Sequence, residues 1–498
     1  MNENKNITLG YKLDLSKGKK KIRIFGDNFV ENNKNNCKIL FNNKEYELMT
    51  HFDIHNIKGK LEIQLEIIKD LTDISYMFFE CLTLSYISKE FAELNTENIT
   101  DMSYLFSTCL SLEFLPDISK WNTKKVENIS SMFCRCISLH KMPDISKWDI
   151  SNVKDLSYLF RECYTLKQLP DISKWNISKV TSLRHLFYRC RELLELPDIS
   201  SWDTSHIKDM WCTFCECFLI KSLPDISKWK TNNVIDISNI FRECRSIKTL
   251  PDISKWNISK VKTIHGMFCY CHSLKLIPNI SKWDISKVEH MNYLFSGCNQ
   301  LKEIPNISNW NTRNIKDMNG TFRKCNLIEE LPDISKWNIR NITDFGILFS
   351  QCKKMKKLPD ISKWNVTNVK TYYELFTGCE SLVEDGIPDL YHWKLDKNAI
   401  NYIISTSFQI LNYFSRKNED NFSDKSNLLN NFINDTSINL NISENIENNS
   451  EEKHEDNYID NSNSLKKLAI DMSINLSENK EIENNIQYTR SNLAQFTK

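Results

Sequence analysis

"LPDISKWNISKVTSLRHLFYRC", residues 169–190, contains one full statement of the phrase that fills this chain. Its opening words return unchanged at Leu250 and as "LPDISKWNIRNI" at Leu331. Trp175 within it belongs to a column that runs from Trp121 to Trp364 in steps of 27, with Trp393 following after 29. All 11 prolines keep step, from Pro116 to Pro388. So do cysteines from Cys109 to Cys379, each with a Phe three residues before it, as in Phe187 and Cys190. A fixed period in the range of about 20–50 residues marks a solenoid. Each unit is too small to hide its own apolar face, so neighbouring copies must hide one another's.

The second half of the phrase decides what a unit is made of. Val180, Leu183, Leu186, Phe187 and Cys190 fall at steps of 3, 3, 1 and 3. That spacing predicts one apolar stripe on a helix of about three turns. Ser178 stands where a cap would start it, with Asn176 as a competing cap. The other half, "LLELPDISSW" at residues 193–202, suits a short extended segment around Leu196. Proline cannot donate a ladder hydrogen bond and disfavours helix in the residue before it, so the strand should end near Pro197. The Asp after each Pro suits a turn. The expected coil is strand, turn, helix. Parallel strands stack about 4.8 Å apart and helices want about 8–10 Å, a mismatch that would bend the array.

The units "ITDMSYLFSTCLSLEFLPDISKWNT" (residues 99–123) and "VTSLRHLFYRCRELLELPDISSWDT" (residues 180–204) resemble the BspA-like, leucine-rich-repeat-type surface-protein family, known for mycoplasma lipoprotein repeats with a Met-Phe…Cys…Leu…Trp pattern. The resemblance covers residues 71–393. It implies a leucine-rich-repeat-like fold and a role in adhesion or protein binding.

The ends read differently. "KKKIRIFGDNFV" and "CKILFNNKEYEL" alternate apolar and polar positions, with "FNNKE" a hairpin turn between Leu40 and Tyr46. "KLEIQLEII" is another strand-like run. Residues 1–70 are thus expected to form a small β-rich domain that caps the first coil. Residues 71–396 form the solenoid, and residues 397–417 a closing helix. From residue 418 the composition shifts to Asn, Ser, Asp and Glu, with 15 acidic and 7 basic residues. This 418–498 tail cannot bury enough apolar surface to order itself. It repeats itself loosely at residues 435–449 and 471–485.

A net charge of +1 gives no general case for nucleic-acid binding. The tail's −8 leaves +9 on the rest, which permits a basic strip without showing one. No apolar run has the length of a signal peptide or membrane span, so a cytoplasmic protein with mostly reduced thiols is expected.

"MWCTFCEC" holds Cys212, Cys215 and Cys217, and a Cys-x-x-Cys pair can be half of a zinc site. Yet Cys217 is the column position, Cys215 shares its offset with Cys134 and Cys269, and no second half-site follows. Core packing is the better reading. The histidines from His140 to His290 share no common offset. No nucleophile motif, phosphate loop or dinucleotide-binding glycine pattern occurs. The Asp column (Asp117, Asp144, Asp171, Asp198, Asp225, Asp252) reads as turn caps, with a Lys three positions on to offset repulsion; a cation ladder is the alternative. Asn279 and Asn306 interrupt the column, which favours capping. The pair before each column Cys varies: Arg161-Glu162, Tyr188-Arg189, Arg242-Glu243, Ser296-Gly297, Arg323-Lys324. That is variable surface on a constant frame.

The whole reads as α/β: a leucine-rich-repeat-like solenoid of 27-residue strand-turn-helix coils, with no catalytic, cofactor or metal residues. It is expected to be a non-catalytic protein–protein interaction scaffold with a protein partner and no nucleic-acid partner. The alternative is a cell-surface or secreted adhesin of the BspA-like type.

Overall fold

The computed structural model describes residues 6–13, 20–57, 59–382, 386–393, 395 and 403. The closing helix expected at 397–417 and the tail expected at 418–498 lie outside the described residues, apart from helical Ile403.

The chain opens with strands β1 (Asn6–Lys12) and β2 (Lys21–Arg23), helix α1 (Asp27–Asn33), then β3 (Cys37–Phe41), β4 (Lys44–Glu47), β5 (His51–Asp53) and β6 (Lys60–Ile67). Alternation is clean in β6, where Leu61, Ile63 and Leu65 are buried and the residues between them exposed. The hairpin expected at "FNNKE" forms, with Phe41 paired to Lys44 and both turn residues, Asn42 and Asn43, at positive φ. "GDNFV" is helical where continued alternation was expected. The chain turns at Gly26, whose amide donates to Met77 O at 3.1 Å. A Cβ there would overlap Tyr76 O, so only glycine fits the approach.

The sheet order is β4-β3-β6-β1-β7, and β7 (Leu84–Ile87) lies within the first, degenerate repeat. The N-terminal sheet therefore closes over the first coil through backbone hydrogen bonds. Phe25 stacks on Phe78 at 5.9 Å and heads the Phe column.

The coils correct the strand-turn-helix expectation: none of residues 71–382 is α-helical. Residues 183–190 are a run of overlapping turns. Leu186, Tyr188 and Cys190 donate their amides three residues back, to Leu183, His185 and Phe187. The intervening amides leave the coil. Leu183, His185, Phe187 and Arg189 donate to Asp209, Trp211, Thr213 and Cys215 of the next coil. Half the amides thus hold the turn and half hold the stack. The steps of 3, 3, 1 and 3 fit both readings, because a β-turn chain and a helix both bring i and i+3 together. A helix would use every amide internally and keep coils about 8–10 Å apart. Here Phe106, Phe133, Phe160 and their successors to Phe376 stack at 5.7–6.1 Å with planes 2–18° apart. The expected mismatch between strand and helix spacing does not arise.

Two residues per coil take positive φ, four apart: Tyr158 and Glu162, His185 and Arg189, Cys212 and Glu216, and so on to Glu374 and Gly378. Each sits third in its turn, the type II signature. For a non-glycine residue this costs about 1–2 kcal/mol. The offset is structural: the amides of His185, Arg189, Cys212 and Glu216 are among those that reach the next coil.

Parallel bridges are single and form a column, Asp155 to Ser182 to Asp209 and onward to Thr371. It lies inside the segment expected to be helix. At the segment expected to be strand, bridges form between Thr249 and Leu276 and between Glu330 and Lys357.

Candidate interaction surface

Three corners of most coils are Asx turns, with Ser182 and Thr263 accepting through their hydroxyls at one of them, and they leave three of the coil surfaces structurally committed. In the unit at 169–190, Asp171 Oδ1 accepts the Ser173 amide and Asn176 Oδ1 accepts the Ser178 amide. At the bridge column, Asp155 and Asp209 accept from Ser157 and Trp211. The Asn after Trp thus takes the cap, closing a turn where a helix start was expected. The Pro–Asp column is capping, as the interrupting Asn279 indicated: Asn279 accepts from Ser281 in the same way. Hydrogen bonds from Ser227 hold the Asp225 carboxyl below 3.8, with Lys228 and Lys255 adding to it.

The Trp and Cys columns are equally committed. Trp175 Nε1 donates to Ile145 O at 3.2 Å, and Trp202 to Ile172 O at 3.1 Å, one coil back. Column Trp residues are only 3–4 % exposed. Trp121 Nε1 alone in the column has no acceptor, because the degenerate first repeat supplies none. Cys190 Sγ donates to Phe160 O at 3.1 Å and Cys217 to Phe187 O at 3.2 Å, a step repeated out to Cys379. Burial pushes the Cys190 and Cys244 thiols up to about 12. Among the described residues no group of three or more His, Cys, Asp or Glu could hold a metal.

What remains is the face carrying the positive-φ residues, where side chains are free to vary. On it lie Arg135, Arg161, Arg184, Arg189, Arg191, Arg242, Arg245 and Arg323, eight of the 13 arginines in the chain, seven of them clustered within residues 135–245. Trp211, one of 12 tryptophans and the one outside the 27-residue column, lies there too. The rings and guanidiniums interlock. Arg184 covers Trp211 at 3.9 Å and reaches Tyr158 Oη through Nε at 3.0 Å. Arg161 and Arg189 lie 5.6 and 4.8 Å from the Tyr188 ring. Arg191 spans Tyr164 and Phe218 at 5.0 and 5.2 Å, and Arg245 meets Phe218 from the other side at 4.0 Å. His185 stacks on Tyr158 and meets Trp211 edge-on at 4.5 Å.

Three carboxylates sit beneath. Glu162 is held by Arg161 at 2.9 Å and Arg135 at 3.4 Å. Glu216 is held by Arg189 and Arg191, both at 3.0 Å. Glu243 is held by Arg245 at 2.5 Å and by Arg242 at 3.9 Å. Their side chains are 7, 10 and 16 % exposed, against 25–51 % for the arginines. The acids are the more deeply buried partners and the guanidiniums are partly exposed, with Nε of Arg161, Arg191 and Arg242 inside the packing.

Three of the varying pairs before the column Cys, Arg161-Glu162, Tyr188-Arg189 and Arg242-Glu243, fall on this strip. The sequence reading named them without bringing them together. Two signals could have done so: the clustering of Arg in a Lys-rich chain, and the Trp that breaks the period.

A family described as "Mycoplasma protein of unknown function, DUF285" matches in overlapping stretches at 72–195, 111–218, 183–304, 269–389 and 299–420. No curated protein matches the chain. Among solved structures, a leucine-rich repeat protein from Bacteroides ovatus ATCC 8483 is 17 % identical, covering 57 % of this chain and 76 % of that one at a TM-score of 0.28. A T. pallidum leucine-rich repeat protein is 17 % identical over 44 % and 78 % at 0.24. A leucine-rich cell surface protein from Faecalibacterium prausnitzii A2-165 is 16 % identical over 68 % and 91 % at 0.28. No helix among the described residues is long and apolar enough to cross a membrane. With the matched stretches together running over residues 72–420, the repeats place this chain in the DUF285 family of BspA-like, leucine-rich-repeat-type proteins.

Proposed function

We propose that this chain is a non-catalytic protein-binding scaffold and that the Arg–aromatic strip is its contact surface. One observation carries the reading: a repeat that spends almost every other position on stacking gathers seven Arg and its off-column Trp on one face of adjacent coils. Tyr, Trp and Arg are the residues enriched at protein-interface hot spots, and Lys is depleted there. Membership of a repeat family supports it, since solenoids present variable faces on a constant frame.

A photo-cross-linking side chain at Tyr164, on the strip, should yield protein adducts in native cells. The same side chain at Lys174, on the Pro–Asp edge, should not. Adducts from Lys174 alone, or equally from both, would overturn the assignment. The cytoplasmic location belongs to the same proposal. Each column thiol donates a hydrogen bond, a role only a reduced Cys fills, so protein isolated under acid quench should show 17 free thiols.

A further inference from the structure

We infer that the strip takes an extended polypeptide segment bearing Asp or Glu at alternate positions, laid along the stack. This rests on the protein-binding reading and adds the partner's chemistry. Arg184 is matched by Asp209 at 3.3 Å, and the flanking Asp155 and Asp236 each cap their own turns. The cluster's other six guanidiniums face Glu162, Glu216 and Glu243; with Asp155, Asp209 and Asp236 counted, seven guanidiniums stand against six carboxylates, an excess of one positive charge. The three Glu carboxylates lie under the guanidiniums, so the outward surface presents N–H donors and ring faces.

An extended chain comes close to the coil spacing. Side chains on one face of a strand recur about every 6.6–6.8 Å. The coils repeat at 5.7–6.1 Å in the Phe column. Arginines stand on four of five consecutive coils: Arg135, Arg161, Arg189 with Arg191, and Arg242 with Arg245. In the coil without one, Phe218 is covered from both sides by Arg191 and Arg245. A guanidinium binds a carboxylate through two parallel N–H donors, and its flat face stays on the ring below. A single-stranded nucleic acid, whose phosphates and bases Arg and aromatic side chains also bind, is the competing occupant, and the RNA comparator below decides between the two.

The test uses the full chain and a labelled ten-residue peptide alternating Glu and Ser, read by fluorescence anisotropy. A Gln-for-Glu peptide and a ten-nucleotide uridine RNA serve as comparators. The strip variant is R135Q/R191Q/R245Q, which leaves Glu162, Glu216 and Glu243 each with a guanidinium. The edge variant is K120Q/K174Q/K228Q. The acidic peptide should bind at least tenfold tighter than either comparator, lose at least tenfold in the strip variant, and change less than twofold in the edge variant. Equal binding of the Glu and Gln peptides, tighter binding of the RNA, or equal losses in both variants would overturn the inference. The peptide comparison needs no variant, so it stands even where R135Q/R191Q/R245Q fails to fold. Strip adducts to a non-acidic partner segment would sink this inference alone; adducts only from the Pro–Asp edge would sink the scaffold reading with it.

Discussion

At the residue scale, each repeated letter has one physical task, and most are directed at the neighbouring coil. Phe stacks, Cys and Trp donate to a carbonyl one coil back, and the Asx residues close turns. Phe241 lies between Phe214 and Phe268 at 6.1 Å on either side and is fully buried. Phe241→Ala should cost about 3–5 kcal/mol by denaturant titration. A second case tests the positive-φ positions. Gly320 has φ +57, and a Cβ there would stand 2.7 Å from the Tyr293 ring of the preceding coil. Gly320→Ala should destabilise by about 1–3 kcal/mol. In a Tyr293→Ala background the cost should fall to about 1 kcal/mol, leaving the backbone term alone. Equal costs in both backgrounds would show that the ring is not what excludes the Cβ. The buried columns were legible in the sequence because periodic apolar letters have few other uses. The left-handed residues were not, because Tyr, Glu, Arg and His carry no turn signature; their conformation is imposed by the stack.

At the element scale, the helix expectation failed for a reason internal to the pattern. Leu183, Leu186, Phe187 and Cys190 satisfy helix spacing, yet alternate amides find acceptors in the next coil, and that choice is visible only once two coils are placed together. The turns themselves titrate. Asp117, Asp144, Asp171, Asp198, Asp225, Asp252, Asp333 and Asp360 are held below 3.8, chiefly by hydrogen bonds from the Ser two residues on. A lowered native pKa stabilises the fold above the unfolded value, and this is lost as pH falls through the native one. Burial raises Asp236, Asp317 and Glu374, whose contribution has the opposite sign. The thermal midpoint should therefore drop between about pH 4 and about pH 2. Replacing Asp198, Asp225 and Asp252 by Asn, which caps without charge, should flatten that drop. An acid limb unchanged by the triple substitution would assign the titration elsewhere.

At the scale of the whole molecule, the frame was readable and the Arg–aromatic strip was not. A period announces itself in one chain, whereas the strip is assembled from residues up to four repeats apart in sequence that meet only through stacking. The N-terminal sheet shows the same dependence. Its last strand, β7, belongs to the first repeat, so the stack begins on an edge already hydrogen-bonded to β1. Register is then handed from coil to coil in steps of 27. The most direct test compares two internal deletions by chemical denaturation: residues 241–267, one whole repeat, and residues 241–253, about half of one. Removing the whole repeat rejoins Ile240 to Phe268 in register and should leave a cooperative transition at a slightly lower midpoint. Removing half should abolish it. Equal damage from both would contradict coil-on-coil stacking as the source of the fold.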